Sequence, residues 1–243
     1  MNLIMMKTDR LILLSTFITI LLSSCTAMAQ PQKQLVRLAI IEVDSTQLDR
    51  YNDFLREEIE ASIQKEPGVI TLYGVAEKEN PERVTLFETY ADSAQYKAHL
   101  TTPHFQKYKQ GTLQMVKHLE LIETQPILYT RKPELAKARS GDLFIRLIKM
   151  EIATNSIDSF HKLANNVMLP GLKKEPGVLV MYAVAEKNKP AHISILEVYA
   201  NAAAYENHVK TSHFIKYKTE SKNMIKTLTL VDVNPILLGS KPQ

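Results

Sequence analysis

Apolar and polar positions follow two periods along this chain, and the periods succeed one another in the same order twice. Leu35 to Val43 is apolar and rich in β-branched residues, which predicts a strand. Leu48, Tyr51, Leu55, Ile59 and Ile63 then recur at helical spacing. Glu66-Pro67-Gly68-Val69 reads as a turn into a strand over Val69 to Glu77, and a turn at Asn80-Pro81 leads to another over Arg83 to Tyr90. A short helix, a break and a second helix follow, with Thr102 placed as N-cap and Pro103 at the first helical position. Leu119 to Tyr129 closes the series as a strand. The second series has strands over Leu143 to Ile152, Val178 to Glu186, His192 to Tyr199 and Leu228 to Leu238. Its first helix carries Ile157, Phe160, Ala164 and Met168, and Pro170-Gly171 is expected to end or kink it early. Each series has the β-α-β-β-α-β order of a ferredoxin-like sandwich.

The two series are copies. Pro67 and Pro176, Tyr96 and Tyr205, and His104 and His213 all stand 109 positions apart (176 − 67, 205 − 96, 213 − 104), without a gap. This divides the chain into a first domain at 35–129, a linker at 130–142 rich in Lys, Arg, Pro and Ser, and a second domain at 143–238. Val69, Thr71, Tyr73 and Val75 alternate with Ile70, Leu72, Gly74 and Ala76, so both faces of that strand are largely apolar, as they are in its copy. Helices cover only one face of such a sheet. The other needs a partner, because each large apolar side chain left wet forfeits ~1.5–3 kcal/mol. The tethered sister repeat is the nearest partner, which predicts an α+β fold of two ferredoxin-like repeats packed sheet to sheet. The competing arrangement is two separate units, each pairing with another chain; a monomeric pseudo-dimer and a higher homo-oligomer both remain open.

Composition is that of an ordinary globular protein, at 45% hydrophobic and 23% charged residues with net charge +4. No clustered Lys/Arg stripe accompanies this mild surplus, which argues against a nucleic-acid partner. Lys7 and Arg10 precede an apolar run from Leu11 to Leu22, and residues 1–29 read as a signal peptide. Leu22-Ser23-Ser24-Cys25 fits a lipoprotein box with Cys25 lipidated, whereas Ala27-Met28-Ala29 fits ordinary cleavage. Export to the periplasm or cell envelope, with a possible lipid anchor, is the expectation.

Four of the seven histidines are paired by the repeat, His99 with His208 and His104 with His213. His99 and His208 stand at a helix end facing the sheet and are the candidate bases. His104 and His213 are equally readable as satisfied by a nearby carbonyl. Tyr90 and Tyr199 share strand parity with Glu88 and Glu197, which could orient a histidine or a substrate hydroxyl. Arg37 and Arg146 recur in the first strands, where an inward guanidinium would bind an anionic oxygen and an outward one would form an edge ion pair. Tyr96, Tyr205, and the stripe Phe105, Tyr108, Met115 read as core. HExxH, CxxC, GxGxxG, P-loop and Gly-x-Ser-x-Gly patterns are all missing from the sequence. With no acidic residue evident beside the paired histidines, the metal signal is weak and no metal is expected.

The segment from Glu88 to Phe105, with its H-x-x-T-P-H-F ending and a preceding Glu-Pro-Gly turn, resembles the antibiotic biosynthesis monooxygenase (ABM) family, once per repeat. The resemblance implies a dimeric α+β barrel, here within one chain, and a cofactor-free monooxygenase similar to those that oxidise quinols or phenols with O₂. It implies a small aromatic or quinol-like partner and roles for His99, His208, Tyr90 and Tyr199 in catalysis. Arg37, Arg146, Glu88, Glu197, His104 and His213 would then bind substrate. The second copy has Ser212 where proline is expected, and Tyr90 and Tyr199 stand where many members carry tryptophan. Haem-degrading relatives use an asparagine in the first strand where Arg37 and Arg146 stand, so haem ranks low and no cofactor is expected. A non-catalytic binding protein of the envelope and an isomerase of a small dicarbonyl compound are the alternatives.

Overall fold

The computed structural model describes residues 34–242. Cys25 and the two cleavage readings lie outside those residues. The first half contains β1 (Leu35–Val43), α1 (Leu48–Lys65), β2 (Val69–Glu77), β3 (Arg83–Tyr90), α2 (Ser93–His99), α3 (Pro103–Thr112) and β4 (Val116–Arg131). The second half contains β5 (Phe144–Ile152), α4 (Ile157–Leu163), α5 (Leu169–Leu172), β6 (Val178–Glu186), β7 (His192–Tyr199), α6 (Ala202–His208), α7 (Ser212–Ser221) and β8 (Ile225–Ser240).

The strands form one closed barrel in the order β1-β3-β2-β8-β5-β7-β6-β4. Closure comes from the last strand of each half, which is longer than the sequence pattern suggests. β4 pairs with β1 from Val116 to Thr124, and its remainder, Thr124 to Arg131, pairs with β6 of the other half. β8 does the same, running from β5 onto β2. The crossings are marked by register shifts beside Pro126 and Pro235, where a residue without an N–H is tolerated because the ladder is already interrupted. Thr130 and Arg131, read from composition as linker, therefore belong to β4. The rest of that segment forms two short 3₁₀ turns, Pro133–Lys137 and Ser140–Asp142, with Leu135 buried against the barrel.

Three apolar cores result. One fills the barrel, with Leu38, Tyr73, Val75 and Phe87 of the first half against Leu147, Val180, Tyr182 and Leu196 of the second. The other two lie under the helices of each half. The apolar inner faces are thus dry because the repeats close on one another. Within the barrel Thr89 Oγ1 and Tyr182 Oη share a hydrogen bond of 2.7 Å. Val69 and Val178 do not share the face of Tyr73 and Tyr182 as simple alternation predicts. A register shift in each copy, between Val69 and Thr71 and between Val178 and Val180, turns them to the helix side.

The halves differ in their first helix. α1 is continuous, whereas the equivalent helix passes from α4 through a π-type stretch, Ala164–Met168, into α5. Pro170 sits in the first turn of α5 rather than ending the helix early. A proline's cost in a helix comes from its missing N–H and its ring meeting the carbonyl four residues back; the wider π turn before it changes that spacing.

Candidate functional site

The break between the two short helices is held by side-chain caps. Asp92 accepts from the Gln95 N–H and Thr102 accepts from the Phe105 N–H, while the Thr102 hydroxyl donates to the His99 carbonyl at 2.9 Å. The same caps recur at Asn201 and Thr211. They bring the two histidines of each half to a carboxylate that sequence reasoning missed. Glu66 Oε1 lies 2.9 Å from His99 Nδ1 and 2.7 Å from His104 Nε2. Glu175 repeats both contacts with His208 Nδ1 and His213 Nε2, at 2.9 and 2.7 Å. The expectation of no acidic neighbour is corrected here. The available signal was the Glu-Pro-Gly-Val turn, which keeps its glutamate in both copies.

Burial alone would raise the Glu66 carboxyl, but hydrogen bonds from His104 and His99 outweigh it and hold the group below the ordinary carboxylate value. Burial pushes the His99 imidazole below its ordinary value, against the pull of Glu66, so His99 is neutral at neutral pH. Its one proton must then be on Nδ1, facing Glu66, which leaves the lone pair on Nε2. Each cluster also places three potential ligand atoms within 4.8 Å of one another, a two-histidine, one-carboxylate set of the kind that suits a divalent transition metal. A metal there would have to displace the proton from His99 Nδ1.

His99 lines a cavity of about 440 Å³ between the sheet and the helices of the first half, together with Glu58, Glu88, Tyr90, Tyr96, Phe105 and Tyr108. Tyr96, Phe105 and Tyr108 are therefore walls of the site rather than core alone. Tyr90 donates to Glu88 Oε2 at 3.2 Å. Glu58, on α1, is a second residue the sequence did not single out. It is buried, accepts from Ser62 Oγ at 2.7 Å, and its Oε1 lies 3.6 Å from His99 Nε2. Burial pushes its carboxyl up to about 8, so it holds a proton at neutral pH. Arg37 is not among the residues lining this cavity. Its guanidinium stacks over the Tyr96 ring at 4.3 Å, and its Nε is buried without a hydrogen-bond partner among the described residues.

A second cavity, of about 720 Å³, occupies the same place in the other half and is lined by Arg146, Glu197, Tyr205, Phe214 and Tyr217 among others. Arg146 is satisfied locally, by Asp232 Oδ1 at 3.1 Å and Tyr205 Oη at 2.8 Å, as an edge ion pair would predict. Tyr199 donates to Glu197, whose carboxyl burial pushes up to about 7. Neither His208 nor Tyr199 is among the residues lining this cavity. His208 Nε2 is buried without a hydrogen-bond partner among the described residues, and its ring meets that of Phe214 edge-on.

The acid of the first half has no equivalent in the second. By the repeat offset Glu58 corresponds to Val167 and its partner Ser62 to Gly171. A Cβ on Gly171 would lie 2.3 Å from the His213 ring, so the imidazole occupies the space that a side chain would need. Gly171→Ala is expected to lower stability by ~1–3 kcal/mol, the usual cost of overpacking, read as a fall in melting temperature. An unchanged Tm would show that the ring moves aside freely.

The model of the family described as antibiotic biosynthesis monooxygenase matches residues 35–111 and again 143–220. Among solved structures, the chain resembles a protein named as a putative monooxygenase from Lactobacillus acidophilus NCFM, with a TM-score of 0.79 and 20% identity over 86% of this chain and 97% of that one. A second, also named as a putative monooxygenase, from Fusobacterium nucleatum, has a TM-score of 0.78 and 17% identity over 87% and 96% of the two chains. A shorter protein from Bacteroides thetaiotaomicron, named as a putative antibiotic biosynthesis monooxygenase, is 55% identical over 40% of this chain and 91% of its own, with a TM-score of 0.39. No curated protein matches the chain.

Proposed function

Because the chain belongs to the antibiotic biosynthesis monooxygenase family, we propose that it is an exported, cofactor-independent monooxygenase that oxidises a small phenolic or quinol-like compound with O₂ in the first cavity. The observation that carries this reading is His99 on the wall of an apolar cavity with its Nδ1 2.9 Å from the Glu66 carboxylate, a contact that assigns the proton to Nδ1 and leaves Nε2 as the base. A hydroxyl placed against Nε2 loses its proton to the imidazole, and the resulting electron-rich anion is the species that reacts with O₂. One oxygen atom enters the carbon skeleton and the other leaves as water, with all the electrons supplied by the substrate. Protonated Glu58 can donate a hydrogen bond to the developing oxyanion, the role first assigned to Arg37, while Tyr90, Tyr96 and Phe105 hold the ring.

A second reading rests on the same pair. A neutral base and a protonated acid 3.6 Å apart are also what a keto–enol isomerisation of a small dicarbonyl compound requires. An oxygen-electrode assay with a panel of hydroquinones separates them. The proposed activity consumes O₂ and is unaffected by EDTA. Turnover that continues anaerobically selects the isomerase. Loss of turnover on EDTA treatment, restored by a divalent metal, assigns the His–Glu cluster to an ion instead. Ligand-induced thermal stabilisation without any turnover leaves a binding protein.

A further inference from the structure

The two cavities have diverged in a consistent direction. At the positions that match Ile41, Ile59 and Leu72 of the first half, the second has Met150, Met168 and Met181, and it has Ala164 where the first has Leu55. All four line the larger cavity. Unbranched thioether side chains adapt to ligands of varied shape, and the step from leucine to alanine removes wall volume. At about 720 Å³ the space lies within the ~300–1,000 Å³ range of small-molecule sites. Its inner polar groups are occupied with one another: Arg146 with Asp232 and Tyr205, and Glu197 with Tyr199. No acid stands where Glu58 does, and the base nitrogen of His208 is not on the wall.

The mouth is different again. Lys218, in the last turn of α7, and Lys222, the residue that caps its C-terminus, line the outer part of this cavity together with Leu228 and Leu230, which are half exposed. Lys222 replaces Leu113 of the first half. The carboxylates nearby are engaged by other lysines, Glu220 with Lys216 and Glu151 with Lys226. Neither Lys218 nor Lys222 is in an ion pair among the described residues. An apolar, adaptable chamber whose only uncommitted charges are two ammonium groups at its rim fits a molecule with a long apolar body and an anionic end.

We infer that the second cavity is a binding chamber for a long-chain amphiphilic anion of the fatty-carboxylate class, its tail among the methionines and its carboxylate at Lys218 and Lys222. This does not depend on the monooxygenase reading, since it invokes none of the first cavity's residues. The test uses the fluorescence of cis-parinaric acid titrated into the full protein, with hexadecanol as a neutral competitor. Saturable one-site binding is expected. Ala164→Leu, which restores the sister side chain, should weaken it at least ~10-fold. Lys218→Glu with Lys222→Glu, both on the surface, should weaken parinarate by ~10-fold or more at low salt, less at high salt, and leave the inhibition constant of hexadecanol unchanged. Absence of saturable binding by the unaltered protein overturns the inference. So does binding that both variants leave intact, which would place the probe elsewhere. A preparation that binds parinarate but consumes no O₂ with any quinol keeps this inference and removes the other.

Discussion

Replacing His99 by Gln is expected to lower quinol-dependent O₂ uptake by 10²–10⁴-fold, the usual contribution of a positioned general base, or ~3–5 kcal/mol on the barrier. The size of the effect follows from how little else in the cavity can take a proton. Glu58 already holds one at neutral pH, and burial pushes Tyr90 and Tyr108 far above the range in which they would ionise. Glu88 is also raised by burial, partly offset by Arg37, and it receives the Tyr90 hydroxyl. His208→Gln should retain turnover, because that imidazole is not on its cavity's wall. The pH profile supplies a readout that a merely structural role would not move. Burial lowers the His99 value below 6.5, so the acid limb of kcat/KM should fall below pH 6.5. Glu66→Gln removes the charge that orients and favours the imidazolium and should move that limb lower still. Full activity in the His99→Gln protein would remove the base from the mechanism.

Much of this architecture could be read from the chain because it is written twice. Six of the eight strands were legible to within one residue at both ends, β4 and β8 run two or three residues further at each end than their apolar pattern, and the apolar inner face of β2 announced the sheet-to-sheet packing. The exchange of β4 and β8 between halves was not visible. Their second portions, past Pro126 and Pro235, pair with strands that are remote in sequence, and nothing in local periodicity names a partner. The site shows the same division. His99 and His104 stood out because histidines are few and paired; Glu66 and Glu58 did not. Glu66 was hidden in what reads as a turn, and its role depends on α1 ending beside α2, a tertiary fact. Glu58 has ordinary helical neighbours, and only the packing of α1 onto the sheet shows it to be buried rather than solvated. Arg37 and Arg146 illustrate the converse. Equivalent in sequence and alike in stacking over Tyr96 and Tyr205, they differ in partner: Arg146 bonds Asp232 at 3.1 Å, whereas Glu123, which matches Asp232 in the first half, is paired with Lys187.

The buried carboxyl of Glu58 also sets an expectation for stability. In the unfolded chain it titrates near 4.5, whereas in the folded protein burial holds its proton until about pH 8. As pH rises between those values the unfolded state loses a proton that the folded state keeps, so stability falls through this window and levels off above it. Glu197, raised by burial to about 7, acts in the same direction over a narrower range. His99 and His208 act oppositely. Their lowered folded values remove stability as pH drops through 6.5, and their opposing slope dies away within about one unit above it. The interval from pH 6.5 to 8.5 is therefore dominated by the carboxyls, and the difference between wild type and a Glu58 variant isolates Glu58. Across it Glu58 accounts for ~2 kcal/mol, since one pH unit of differential protonation is worth ~1.4 kcal/mol. For a domain of this size that is a fall in Tm of roughly 4–8 °C. Glu58→Gln keeps a side-chain oxygen for the Ser62 hydroxyl but cannot ionise, and should remove most of the fall while leaving Tm at pH 5 nearly unchanged. Parallel Tm–pH curves for the two proteins would mean that Glu58 is ionised and solvated in the fold, and the acid opposite His99 would have to be given up with it.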